Sequence, residues 1–146
     1  KLFARWLGCD LPTDAQWEFA ARAAGADDAQ LFDRERLPDY AWYGENSENV
    51  THAVKTKLPN SFGLYDVAGN LREWCEDWFD PSYYAACREQ GCVKDPLCMT
   101  DTGRKVLRGG TFDWAVTHLH PTYRNANVPD TRNHVTGFRL VRGQSR

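Results

Sequence analysis

The sequence has no run of lysines and arginines, no long apolar stretch, no internal repeat and no low-complexity tract. With a formal net charge of −2, the chain lacks the basic stripe that a phosphate backbone requires, which argues against nucleic acid as a partner. A membrane helix needs about 20 consecutive apolar residues, so no membrane span is expected. The opening KLFARWLGC is too short and too charged for a signal peptide, which leaves the compartment, cytoplasmic or extracytoplasmic, open. Signatures of nucleophile elbows, phosphate loops and zincin helices are also missing. No cysteine follows Cys98, so the last third of the chain has no thiol with which to hold a soft metal.

What is present suits one globular domain: 146 residues, 42% hydrophobic and 26% charged, with six tryptophans. In LPTDAQWEFAARAAG, Thr13 and Gln16 have capping-box spacing, and Trp17, Ala20, Ala21 and Ala24 share a helical face. A helix over 14–24 is therefore expected, ended by Gly25, with Glu18 and Arg22 paired on its exposed side. The remainder is punctuated by proline, glycine and asparagine and reads as loops and short strands, with 81–104 irregular. Strand-like runs return at KVLRGGTF and GFRLVR, where Val106, Phe138, Leu140 and Val141 are candidates for burial. Asn49-Val50-Thr51 matches a glycosylation triplet, a pattern common by chance.

The stretch GLYDVAGNLREWCEDW reads as strand, turn and strand, because Gly69-Asn70 tolerates positive φ. Alternation then separates Leu71, Glu73 and Cys75 from Arg72, Trp74, Glu76 and Trp78. Carbonyls around the turn and the Glu73 carboxylate could converge on one hard cation, and calcium accepts such oxygens. On residue types alone, an ion pair of Glu73 with Arg108 or Arg139 is favoured. His118 and His120 form an H-x-H pair with Asp113 and His134 as possible partners, although two histidines without a third ligand make no metal site. The count of five cysteines is odd, and Cys87, Cys92 and Cys98 fit either a local disulfide or surface thiols.

Five segments, LPTDAQWEFAARAAG, LPNSFGLYDVAGNLREWCEDW, VLRGGTF, YRNANVPD and GFRLVR, occur in the order seen in the formylglycine-generating enzyme, or sulfatase-modifying factor, family. The chain resembles that family along essentially its whole length. The resemblance implies an α+β fold of C-type-lectin type, with short antiparallel strands, few helices and much loop. It further implies that this single domain corresponds to the C-terminal part of the family domain, whose missing N-terminal part is then a possible partner. It implies calcium as cofactor, held by Ala68, Gly69, Leu71 and Glu73, and Trp74 and Trp78 packing the core. A second family calcium site would begin at Asn46 and Ser47, but the acidic turn that completes it is not found.

The family oxidases use a cysteine pair shortly after the RGGSW-like motif to bind copper, and here RGGTF leads into DWAVTHLHPTYR without cysteine. The resemblance then implies a pseudoenzyme, a ligand-binding, sensing or scaffold module. Its recognition surface is expected in the loop 113–134, from Asp113, Trp114, His118, His120, Tyr123, Asn125, Asn127 and His134, with a small molecule, peptide or protein as ligand. The alternative is an iron-dependent oxidoreductase of the same family, of sulfoxide-synthase or formylglycine-generating type.

Overall fold

A computed structural model describes residues 1–25, 33–91 and 93–143. Four short helices and four short strands are resolved among them: α1 (Leu2–Trp6), α2 (Asp14–Ala21), α3 (Leu37–Tyr40), β1 (Arg72–Trp78), α4 (Tyr83–Glu89), β2 (Lys105–Arg108), β3 (Asn125–Asn127) and β4 (Thr136–Gly137). The strands form one mixed sheet in the order β3-β2-β1-β4, antiparallel except for the β1/β4 pair. This is the α+β architecture expected.

The capping box forms as the spacing predicts, with Gln16 N donating to Thr13 Oγ1 and Thr13 N to Gln16 Oε1. Helix α2 nevertheless stops at Ala21, earlier than the expected 14–24, because Ala23 and Ala24 take positive φ before Gly25. Trp17 and Ala21 go into the core with Val67, Cys75 and Val106, whereas Ala24 is exposed. Glu18 and Arg22 pair across one turn. A second core of Leu37, Ala41, Tyr43, Ala68 and Leu119 lies beneath the loop that follows β2.

Strand β1 alternates as read, with Glu73, Cys75 and Asp77 buried and Arg72, Trp74, Glu76 and Trp78 only partly so. Trp74 and Trp78 therefore lie on the outer face and do not pack the core; Lys105 Nζ sits 3.8 Å from the Trp78 ring centre. Phe138 is also exposed, against expectation: its ring lies edge-on to the exposed Phe3, outside both core clusters. Within 81–104 the structure has a helix, α4, none of whose residues is fully buried. Cys9, Cys75, Cys87 and Cys98 are free thiols, and Cys92 lies outside the described residues.

Candidate functional site

The loop after β2 is set by the turn Ala68-Gly69-Asn70. Gly69 has φ +73°, and a Cβ there would lie 2.0 Å from the Trp42 carbonyl oxygen, so only glycine lets the two segments approach. Around it, Gly69 N donates to Gly109 O, Asn70 N to Trp42 O and Phe112 N to Asn70 O, each within 2.9 Å. The Asn70 side chain also bridges to His52, accepting from its N–H and donating to its carbonyl. Gly110, at φ +73°, lets the loop fold over itself, since a Cβ would meet the His118 carbonyl oxygen at 2.9 Å.

Further bonds hold the loop from outside. Gly44 N donates to Trp114 O (2.9 Å) and Ser47 Oγ to Phe112 O (2.7 Å). Asn46 caps Tyr43 N and donates to Ala41 O, so Asn46 and Ser47 brace the local backbone. At the far end the fully buried Arg108 guanidinium donates to the carbonyls of Pro121 and Tyr123 while its charge is met by Asp14 and Glu18. Arg124 adds a 2.7 Å pair to the second oxygen of Asp14 and lies between the rings of Phe79 and Tyr84.

On this support the predicted residues fall into separate groups. Trp114, His118 and Tyr123 form one aromatic cluster with ring centres 5.0 to 6.0 Å apart and edge-on geometry. Arg72 of β1 covers the Trp114 ring at 5.5 Å and donates to Thr136 Oγ1. Burial lowers the basicity of Arg72, and the nearby Asp113 carboxylate opposes that shift. Asp113 accepts a hydrogen bond from Thr111 and joins His134, Phe112, Asn49, Val50 and Thr51 around a cavity of about 320 Å³. The site thus comprises a ring cluster and an adjacent polar hollow that meet at Asp113-Trp114.

His120 does not join His118. Its Nδ1 is hydrogen-bonded to Thr122 in an exposed turn, while His118 packs against Trp114 and Tyr123. Among the described residues, no group of three or more histidine, cysteine, aspartate or glutamate side chains gathers to hold a metal ion. Asn125 and Asn127 lie on β3, opposite Leu107 and Lys105, where each side-chain oxygen accepts from the next residue's N–H. Residue reasoning missed Arg72, Phe112 and the 49–51 segment. The alternation that put Arg72 on the outer face was the available signal for the first, whereas nothing local pointed to the others.

At the stretch expected to hold calcium, Glu73 lies opposite Arg108 in the sheet but pairs with Arg139, because Arg108 is already held by Asp14 and Glu18. Arg139 Nε donates to Glu73 Oε2 (2.5 Å), Arg139 Nη2 to Oε1 (2.7 Å), and the buried Trp17 Nε1 to Oε2 (2.7 Å). Arg139 also donates to the carbonyls of Tyr65 and Asp66. Burial works against the charge of Arg139, and Glu73 more than restores it. A carboxylate offers about four lone pairs, so these three bonds leave Glu73 one, on Oε1. As calcium ligands, the residues present therefore fit only in a limited way, with Arg139 already supplying positive charge.

No described thiol belongs to the loop. Cys75 is in the core, where burial pushes its thiol well up and keeps it protonated, and Cys98 sits beside Asp77, its N–H donating to that carboxylate. No helix of the described structure is long and apolar enough to cross a membrane.

Comparison with known proteins agrees with this frame. The family model for the sulfatase-modifying factor enzyme 1-like domain matches residues 1–144. Formylglycine-generating enzyme of Streptomyces coelicolor is 35% identical over 95% of this chain and 48% of its own length. Inactive C-alpha-formylglycine-generating enzyme 2 of Bos taurus is 30% identical over 100% of this chain and 48% of its own. Among solved structures, Treponema denticola variable protein 1 superposes with a TM-score of 0.79 at 36% identity, covering 90% of this chain and 46% of that one. The chain spans about half the length of these relatives.

Proposed function

This chain belongs to the sulfatase-modifying factor enzyme 1-like family of formylglycine-generating enzymes, and from that premise we propose that it is a non-catalytic module that binds a ligand on the loop 113–134. The observation that carries the reading is the ring cluster of Trp114, His118 and Tyr123 beside the Asp113 and His134 hollow, on a loop without a thiol. Half-exposed rings held by a braced backbone lose little entropy on binding and offer both apolar faces and polar edges. That an inactive relative aligns over the whole chain makes loss of the oxidase activity a reasonable course within this family.

The ligand class consistent with the hollow is a small molecule or peptide carrying both an apolar group and hydrogen-bonding groups, for the lining combines Phe112 and Val50 with Asp113, Asn49, Thr51 and His134. The iron-dependent alternative gains no support from His118 and His120, whose rings are engaged separately. Calcium at Ala68, Gly69, Leu71 and Glu73 is proposed as a structural ligand that would take the one open lone pair of Glu73 together with main-chain carbonyl oxygens.

The test is a peptide and metabolite array probed with the wild type and with Trp114→Ala. Signals lost in the variant at unchanged stability support the reading. Copper-dependent oxygen consumption with conversion of a cysteine peptide to an aldehyde would overturn it.

A further inference from the structure

Five arginines of the described structure are buried or partly buried: Arg22, Arg72, Arg108, Arg124 and Arg139. Four of them meet a carboxylate, Arg22 at Glu18, Arg108 at Asp14 and Glu18, Arg124 at Asp14 and Arg139 at Glu73. Arg72 is the exception. Among the described residues no acid pairs with it, and Asp113 acts on it only as a nearby charge. A partly buried cation without a counter-ion loses hydration with no pair to compensate, which is why burial lowers the basicity of this group.

Its position is nonetheless fixed. The backbone N–H of Arg72 donates to Val135 O (3.2 Å), Nε donates to Thr136 Oγ1 (3.0 Å), and the guanidinium carbon lies 5.5 Å from the centre of the Trp114 ring. These contacts engage Nε and one face of the guanidinium and leave Nη1 and Nη2 with no protein acceptor among the described residues. Both reach solvent, because Arg124 Nη2 is the one buried side-chain nitrogen or oxygen of the described residues that lacks a partner. Two terminal nitrogens held in one plane form a fork that matches a carboxylate with two parallel hydrogen bonds. The fork stands where the ring cluster meets the hollow: Trp114 packs on His118 and Tyr123, while Asp113 and His134, the neighbours of Trp114 and Val135, line the cavity.

We infer that Arg72 is the anion-recognition residue of the loop site and that the ligand carries a carboxylate taken by Nη1 and Nη2. The inference rests on the ligand reading of the loop 113–134 and deepens it. A singly charged carboxylate fits better than a doubly charged phosphate. Among the described residues no other lysine or arginine stacks on the Trp114, His118 or Tyr123 rings, and Asp113 is close enough to repel a second negative charge. Asp113 Oδ1 accepts from Thr111, which leaves Oδ2 to accept from a donor on the same ligand. A carboxylate flanked by an N–H donor is the chemistry of a free amino-acid derivative and of a peptide C-terminus alike.

The probes are N-acetylated amino acids and N-acetylated dipeptides, each offered as the free carboxylate and as the carboxamide, titrated calorimetrically into the 146-residue chain. Among those that bind the wild type and are lost in Trp114→Ala, the carboxylate is expected to bind at least about tenfold more tightly than its amide, or about 1.4 kcal/mol. In Arg72→Gln the ratio should fall below about twofold, and Arg72→Lys, which keeps the charge without the fork, should lie between. Thr136→Val removes the strand contact of Arg72 and should shift acid and amide alike, leaving the ratio in place. Near-ultraviolet circular dichroism checks that each variant keeps its native packing. Amino acids binding as tightly as dipeptides would support a free metabolite, and dipeptides binding more tightly would support a peptide terminus. Equal affinity of acid and amide in the wild type, a ratio that survives Arg72→Gln, or no binding by any probe would overturn the inference while the wider array still decides the loop reading. Binding unaffected by Trp114→Ala would overturn both.

Discussion

Removing the guanidinium of Arg139, which pairs with Glu73, is the sharpest perturbation of the frame. In Arg139→Met the Glu73 carboxylate keeps only the Trp17 indole N–H as a donor, in a site where its side chain is 10% exposed. Breaking a buried pair costs about 3–5 kcal/mol, much of it the penalty of the charge left behind. Because the Arg139 side chain is 23% exposed, water softens that penalty and the low end, about 3 kcal/mol, applies. For a domain of this size each kcal/mol shifts Tm by about 2–4 °C, so a fall of about 6–12 °C is expected. Glu73→Gln retains an acceptor for Trp17 but strips Arg139 of its charge partner, leaving it the Tyr65 and Asp66 carbonyls. The double variant should therefore lose less than the sum, with a coupling of about 2 kcal/mol in a denaturant-based cycle. Repeating the cycle with calcium and with chelator separates the ion from the arginine. A ligand at 100 times its Kd adds about 2.7 kcal/mol, and any calcium gain in the wild type should vanish in Glu73→Gln. A coupling below about 0.5 kcal/mol would refute the argument that Arg139 neutralises this carboxylate.

Three other outcomes test neighbouring parts. Gly69→Ala places a Cβ against the Trp42 carbonyl at 2.0 Å and at positive φ, and should cost more than about 2 kcal/mol by chemical denaturation; an unchanged midpoint would remove the turn from its anchoring role. Burial pushes the Asp77 carboxyl up, against the pull of the Asp14 and Cys98 N–H groups. Since the folded pKa exceeds the unfolded value of about 3.9, its contribution is complete below that pH and is lost as pH rises through the folded value. Asp77→Asn should flatten that part of the decline, and an identical pH slope in urea midpoints from acid to neutral would contradict it. Trp114→Ala, at a partly exposed position on a loop held by main-chain bonds, should change stability by less than about 1 kcal/mol while losing ligand signals; a large loss of stability would make the ring scaffolding.

Local chemistry made part of this structure legible. The Thr13 and Gln16 capping box, the Gly69-Asn70 turn and the two faces of β1 follow from spacing of residue types within a few positions. Helix α4 left no trace because it buries none of its residues fully, so no apolar periodicity marks it. Trp74 and Trp78 were misplaced because an aromatic ring on a strand face says nothing of whether that face has a cover. The site was legible as a segment but not as a geometry. Trp114, His118 and Tyr123 do meet, whereas His120 turns to Thr122 and the two asparagines belong to a strand. The choice of Arg139 over Arg108 for Glu73 depended on Asp14 and Glu18, more than fifty residues away in sequence, and no local pattern records such competition.

The way the loop is held bears on why one framework accommodates formylglycine-generating enzymes among the relatives and, as proposed here, recognition in this chain. The bonds that fix it fall mainly on main-chain atoms: the N–H and carbonyl of Phe112, and the carbonyls of Gly109, Trp114, Pro121 and Tyr123. Their partners, Gly44, Ser47, Gly69, Asn70 and Arg108, all lie outside the segment 111–124. A backbone anchored this way keeps its path whatever side chains it carries, apart from positions such as Gly110 where a Cβ meets backbone. Exchanging a side chain on such a loop changes its chemistry without removing a support. Changes in the anchors should therefore disturb folding first, and changes in Trp114, His118 or Tyr123 should disturb binding first.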